Sequence, residues 1–284
     1  MAETPSKRAL LIAGPTASGK SALALRLARE RGGVIINADA LQVYAELRIL
    51  TARPTIVEER LAPHRLYGHV SGATSYSVGR WLADAQREIE ACWAQGLLPI
   101  VTGGTGLYFK ALEQGLADVP PIPSAIREAW RKFEGDLHAE LRARDPEGAA
   151  LLRANDRQRL IRALEVIEGT GQPLRHWQRQ SPMPLAGAAV ERRFIDVPRE
   201  DLYARAEARL DEMMKKGAIE EVRSVMHLDP SLPVMKAIGV PEFTSYLKGE
   251  IDLETAIASA KTATRNYIKR QLTWWRGQGK GWGG

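Results

Sequence analysis

The chain has 284 residues, of which 44% are hydrophobic and 26% charged, enough apolar side chain for a sizeable core and too much for a globally disordered chain. Lys and Arg number 40 against 34 Asp and Glu, and the net charge of +6 suits a polyanionic partner without demanding one. The single cysteine, Cys92, excludes an internal disulfide, and no run approaches the ~20 apolar residues of a membrane-spanning helix. A cytoplasmic protein without a membrane partner is expected.

The first apolar run, Arg8–Ala13, reads as a buried strand and leads directly into Gly14-Pro15-Thr16-Ala17-Ser18-Gly19-Lys20-Ser21. This string has the G-x-x-x-x-G-K-[ST] spacing of a phosphate-binding loop, in the strand-to-helix setting that such a loop requires. Gly14 and Gly19 let the main chain turn tightly and approach phosphate oxygens with no Cβ in the way. The amides of residues 18–21 then point inward at the mouth of a helix, whose dipole favours an anion. Lys20 adds a full charge, and the Ser21 hydroxyl is placed to hold Mg²⁺. The expected ligand carries a diphosphate or triphosphate.

A helix over 21–31 ends at Gly32-Gly33, and Val34-Ile35-Ile36 forms a second short buried strand. Strand, helix and strand over this length make a βαβ unit with parallel strands. Asn37-Ala38-Asp39 follows at the carboxyl end, the edge where ligands of such sheets collect, so Asp39 is expected near the phosphate loop. Residues 53–68 read as irregular chain. Ser77 is a plausible cap for an amphipathic helix to residue 95, in which Cys92 reads as a small buried side chain. A third strand over 97–102 delivers Gly103-Gly104-Thr105-Gly106 to the same edge, before a helix over 107–114. The run Val119-Pro120-Pro121-Ile122-Pro123 is a stiff linker.

Beyond it lie a long charged helical region over 124–169, a break at 169–173 and a loop rich in Pro, Ala and Gly over 181–189. A strand over 193–197 and helices over 201–216, 219–227, 240–247 and 253–275 follow, with a glycine-rich tail at 277–284 expected to fray. The fold class is α/β: a P-loop NTPase-like parallel sheet flanked by helices (residues 1–120 and 186–284), with a smaller inserted all-helical domain (121–185).

No strand ends in the carboxylate of a Walker B segment, which argues against a nucleotide-hydrolysing motor. Asp39 could instead accept a proton from an acceptor lying across the loop, although an aspartate there also serves as a turn cap. Basic residues gather in two groups, Arg153, Arg157, Arg159 and Arg162, and Lys261, Arg265, Lys269, Arg270 and Arg276 beside Trp274 and Trp275. Helical spacing puts Lys261, Arg265 and Lys269 on one face. Either group alone reads equally as a solvated helix face, and the two together modestly favour nucleic acid. Each tryptophan by itself reads first as a packing residue.

Several strings occur in a telling order: Gly14 to Ser21, Asn-Ala-Asp-Ala-Leu-Gln-Val-Tyr (37–44), Thr-Ala-Arg-Pro (51–54), Pro-His-Arg-Leu (63–66), Tyr-Ser-Val (76–78) and Gly-Gly-Thr-Gly-Leu-Tyr (103–108). Asp-Arg-Gln-Arg-Leu-Ile-Arg-Ala-Leu-Glu-Val (156–166) and Thr-Arg-Asn-Tyr-Ile-Lys-Arg-Gln-Leu-Thr-Trp (264–274) complete the set. Over residues 10–276 the chain resembles the tRNA dimethylallyltransferase (tRNA isopentenyltransferase) family. The resemblance implies that Gly14, Pro15, Thr16, Ala17, Ser18, Gly19, Lys20 and Ser21 hold the diphosphate of dimethylallyl diphosphate, with Mg²⁺ at Ser21. The prenyl group would pass to N6 of the adenine 3′ of the anticodon in tRNA.

By the same resemblance Asp39 is the general base, Thr105 lies near the diphosphate and the target nucleotide, and Arg209 contacts the diphosphate. Asp39, Ala40, Leu41, Gln42, Thr105, Arg127, Gln158, Arg159, Leu160, Ile161 and Arg162 would contact tRNA, with the target base extruded. Three positions depart from the family pattern: Ala40 stands for Ser, Leu50 for Gly and Arg53 for Lys. A monomer is expected. Two other readings stay open, a P-loop small-molecule kinase using ATP and an RNA-binding module whose loop only senses nucleotide.

Overall fold

The computed structural model describes residues 7–178, 183–279 and 281–282. It divides into two compact units, Met1–Leu112 with Leu185–Gly284, and Glu113–Pro184. In chain order the first unit supplies β1 (Arg8–Ala13), α1 (Lys20–Arg31), β2 (Gly33–Asn37), α2 (Ile56–Leu61), β3 (His64–Arg65), α3 (Val78–Ala94), β4 (Leu98–Gly103) and α4 (Gly106–Gln114). The second holds α5 (Ser124–Lys132), α6 (Leu137–Arg144), α7 (Pro146–Ala150), α8 (Arg157–Thr170) and α9 (Leu174–Gln178). The chain then returns through β5 (Ala189–Phe194), α10 (Arg199–Lys215), α11 (Ala218–Val225), a 3-10 turn at Pro233–Lys236, α12 (Val240–Leu247) and α13 (Leu253–Gln278).

The five strands form one parallel sheet in the order β3-β2-β4-β1-β5. The three central strands are near-continuous apolar runs because helices cover both faces and leave no solvated side. β4 lies between β1 and β2, so the chain segments following all three strands emerge together at one carboxyl edge.

β5 runs earlier than its apolar residues suggest. Residues 193–197 were the expected strand, yet Ala189–Phe194 pairs with β1, from Arg8↔Ala189 to Ala13↔Phe194. An edge strand tolerates charge, and here Glu191 pairs with Arg31 and Arg193. The run over 53–68 is not wholly irregular. It holds α2, closed by a capping box between Thr55 and Glu58, and the two-residue β3. Ser77 caps α3 through the Arg80 amide as anticipated. Of the tail, Trp282 packs against Phe109 and Trp275, while Lys280, Gly283 and Gly284 lie outside the described residues.

α13 organises the C-terminal half of the first unit. Its buried residues, Ala256, Ala260, Thr264, Ile268, Gln271, Leu272 and Trp275, recur every three or four positions and so share one face. That face packs against α10 and α12.

In the second unit the expected long helical region is divided into α5 to α8. Asp136, Asp145 and Asp156 each accept backbone amides at a helix start, which is why the charged run breaks where it does. Its core gathers Trp130, Leu137, Leu141, Leu160 and Leu164. The first two residues of the loop expected over 181–189, Ser181 and Pro182, lie outside the described residues, and a turn follows to Ala188. No helix among the described residues is long and apolar enough to cross a membrane.

Candidate active site

The phosphate loop turns between Ala13 and Lys20. The Ser18 amide donates to the Pro15 carbonyl at 3.3 Å, and Lys20 Nζ donates to the same carbonyl at 3.2 Å. Gly19 caps α1 with a φ of 91° and no side-chain hydrogen bond, so no side chain competes for the helix mouth. The Ser18 hydroxyl is buried there with no hydrogen-bond partner among the described residues. An orphaned donor beside a helix N-terminus fits an anion.

The segments that follow β2 and β4 are laced to each other. The Ala38 amide donates to Thr102 O at 2.7 Å and the Thr105 amide to Ala38 O at 3.2 Å. Thr105 Oγ1 accepts the Ala40 amide at 3.0 Å. Asn37 is fully buried. Its Nδ2 donates to the carbonyls of Asp39 and Leu66, and its Oδ1 accepts the Asp39 amide. The result is a fixed Asp39, whose Oδ1 accepts the Leu41 amide at 3.0 Å in an Asx-type turn.

Electrostatically the site is a triad of Lys20, Asp39 and Arg209. Burial pushes the Lys20 ammonium down to about 8, with the Asp39 charge pulling it back up and Arg209 pressing it lower. Burial also lowers Arg209, against the pull of Asp39. The phenols of Tyr67, Tyr108 and Tyr267 are all raised, by burial first and by Asp39 second. Tyr267 also hydrogen-bonds Thr105, and Tyr108 stacks on Trp81 with centroids 4.1 Å apart. A cavity of about 80 Å³ opens beside Asp39, walled by Thr16, Arg209 and Tyr267 and by aliphatic side chains.

The fold therefore brings Thr16, Lys20, Asp39, Thr105 and Arg209, far apart in sequence, into one neighbourhood. Among the described residues no cluster of three His, Cys, Asp or Glu could cage a metal. The exposed Ser21 hydroxyl at the helix mouth fits a Mg²⁺ ion held mostly by ligand phosphate oxygens and water.

A model of the IPP transferase family matches residues 42–278, and one described as isopentenyl transferase matches residues 7–70. The chain belongs to the IPP transferase family. It is 56% identical over 284 residues to the tRNA dimethylallyltransferase of Methylobacterium nodulans, covering 97% of this chain and 94% of that one. The tRNA dimethylallyltransferase of Azorhizobium caulinodans is 52% identical over 282 residues, covering 96% and 90%.

Among solved structures, a tRNA isopentenylpyrophosphate transferase from Bacillus halodurans is similar at 33% identity and a TM-score of 0.69, covering 96% of this chain and 88% of that one. A eukaryotic dimethylallyltransferase acting on tRNA superposes with a TM-score of 0.85 at 29% identity, covering 95% and 70%. The IPP transferases are prenyl-transferring enzymes, and the ATP-dependent kinase alternative gives way to that reading.

In this IPP transferase several side chains make contacts that the sequence did not announce. Leu160 is fully buried in the core of the second unit, so its side chain cannot meet RNA, whereas Arg127, Gln158 and Arg159 are exposed and Ile161 and Arg162 half-buried. Gln42 commits its Nε2 to the carbonyls of Thr51 and Ala52. Arg53 spends its Nη1 on the carbonyls of Tyr44 and Ala45. The basic face of α13 is largely neutralised: Lys261 pairs with Asp211 at 2.8 Å and Arg265 with Glu207 at 2.5 Å, both on α10. Trp275 is buried among Phe109, Phe194 and Trp282, and Trp274 lies over Gly106.

Sequence reasoning missed Gln271. Its Oε1 accepts the Thr16 amide at 2.9 Å, and its Nε2 donates to Gly104 O at 2.9 Å. A Cβ on Gly104 would collide with that side-chain amide. Tyr267 and Thr264, which line the cavity, were missed as well. All three lie within the string 264–274 that helped carry the family resemblance, which was the available signal.

Proposed function

We propose that this IPP transferase moves the dimethylallyl group of dimethylallyl diphosphate to N6 of the adenine 3′ of the tRNA anticodon, releasing diphosphate. The observation that carries the reading is a carboxylate, Asp39, electrostatically coupled to two half-buried cations, Lys20 and Arg209, beside a cavity whose lining is partly aliphatic. As the allylic C–O bond breaks, its electron pair stays on the departing diphosphate. The amides at the start of α1, Lys20 and Arg209 stabilise that growing charge. A Mg²⁺ ion, which the Ser21 hydroxyl would help to hold, would supply further charge neutralisation. The adenine N6 forms the new N–C bond and gives its proton to Asp39, whose Oδ1 is anchored by the Leu41 amide while Oδ2 makes no hydrogen bond among the described residues. Thr105 and Tyr267 orient the base.

Arg127, Arg159 and Arg162 on the second unit are suited to phosphate contacts that position tRNA without reading sequence. We place the enzyme in the cytoplasm as a monomer. The test is transfer of label from dimethylallyl diphosphate into tRNA, run beside γ-labelled ATP with small acceptors. Asp39→Ala should lower turnover by about 10²–10⁴-fold while tRNA binding changes little. Normal turnover in that variant removes Asp39 from the chemistry, and phosphoryl transfer from ATP removes the prenyl reading.

A further inference from the structure

The lining of the cavity beside Asp39 is mixed: Thr16, Asp39, Thr51, Arg209, Thr264 and Tyr267 bring polar atoms to it, and Leu41, Leu50, Met213 and Ile238 bring aliphatic ones. A prenyl diphosphate has the same mixed character, a charged head and a hydrocarbon tail. The aliphatic side chains suit the tail, whereas they would leave donors and acceptors of an adenine rim unpaired.

Of these wall residues Leu50 is held most firmly. The carboxylate of Glu221, on α11, accepts three successive amide hydrogens: Arg48 at 2.8 Å and Ile49 at 2.7 Å on Oε1, and Leu50 at 2.9 Å on Oε2. Gln42 and Arg53 fasten the chain on either side through main-chain carbonyls. The Leu50 side chain also lies against bare backbone. A Cβ on Gly239 would stand 2.7 Å from Leu50 Cδ2, and Gly239 has a φ of 97° that favours glycine. Leu50 therefore cannot withdraw along its main chain, and it presents a fixed wall to a space of only about 80 Å³.

We propose that Leu50 sets the length of the prenyl donor, admitting the five-carbon dimethylallyl chain and refusing the ten-carbon geranyl chain. The inference rests on the prenyl-transfer reading above. Glu221 acts as a positioning residue, because it fixes the main chain that carries Leu50 and touches no reacting atom.

The experiment compares kcat/KM for dimethylallyl and geranyl diphosphates, with a tRNA acceptor, in the wild type, Leu50→Ala, Leu50→Phe and Ile238→Ala, each checked for folding by thermal unfolding. The wild type should favour the shorter donor by about 100-fold, since hydrocarbon pockets discriminate by tens to hundreds. Leu50→Ala should lower that ratio by about tenfold or more, and Leu50→Phe should raise KM for dimethylallyl diphosphate by about tenfold with KM for tRNA unmoved. Ile238→Ala enlarges the same wall without touching the segment that Glu221 holds, and should relax the ratio in the same direction.

A wild type that uses both donors equally, an unchanged ratio in both enlarged variants, or a Leu50→Ala effect confined to KM for tRNA overturns the proposal. Absence of any transfer from dimethylallyl diphosphate by the folded wild type overturns the prenyl reading itself, a separate result.

Discussion

Gln271→Ala removes a side chain that ties the phosphate loop to the segment after β4. In the wild type this residue is 5% exposed and bonds the Thr16 amide and the Gly104 carbonyl, each at 2.9 Å. The variant leaves both main-chain groups without a protein partner. A buried group so abandoned costs about 1–3 kcal/mol. The Gly104 end is fully buried and takes the upper part of that range, while Thr16 is partly open to water and takes the lower part. The expected loss is about 3–4 kcal/mol, which for a chain of this size lowers Tm by about 6–16 °C. The kinetic signature is selective: because Thr16 belongs to the loop, KM for the prenyl diphosphate should rise while KM for tRNA stays within about twofold. Gln271→Glu should be no milder, since a carboxylate oxygen would then face the Gly104 carbonyl. Thermal unfolding and steady-state kinetics read both effects. A Gln271→Ala enzyme that melts with the wild type and keeps its donor KM refutes the clamp.

Lys20 should impose a basic limb on kcat/KM for the donor. Burial lowers its pKa to about 8, so the ammonium is present below that pH and lost above it, and the rate constant should fall about tenfold per pH unit beyond the break. A profile flat from pH 7 to 9 refutes the lowered Lys20 pKa. In the second unit Leu160→Ala should cost about 2–5 kcal/mol of stability through the cavity it leaves, seen by thermal unfolding. Arg159→Ala and Arg162→Ala should instead weaken tRNA binding and flatten its salt dependence by about one charge each. Unchanged salt slopes would take this face out of the RNA interface.

How much could be read in advance followed distance along the chain. The phosphate loop was legible because its requirements lie within eight consecutive residues, and the apolar runs of β1, β2 and β4 announced themselves for the same reason. β5 was displaced in the reading because hydrophobicity marks burial, and an edge strand is only half buried. Lys261 and Arg265 have the spacing of an RNA-binding face, but Glu207 and Asp211 repeat that spacing on α10 and meet them, a match visible only once the helices are seen to be neighbours. The roles of Gln271 and Glu221 rest on contacts made across 255 and 171 residues, and nothing local distinguishes them from other polar side chains on helices.

The Gln271 bridge also bears on synthesis. The loop leaves the ribosome early, and its amide partner follows 255 residues later, an interval on the order of tens of seconds at ordinary elongation rates. Throughout that interval β1 lacks its outer neighbour β5 for most of the time, and the helix that fastens the loop has not been made. A nascent chain therefore displays the loop's glycines and lysine long before Gln271 exists to fasten them, and the bridge to Gly104 closes only when α13 docks.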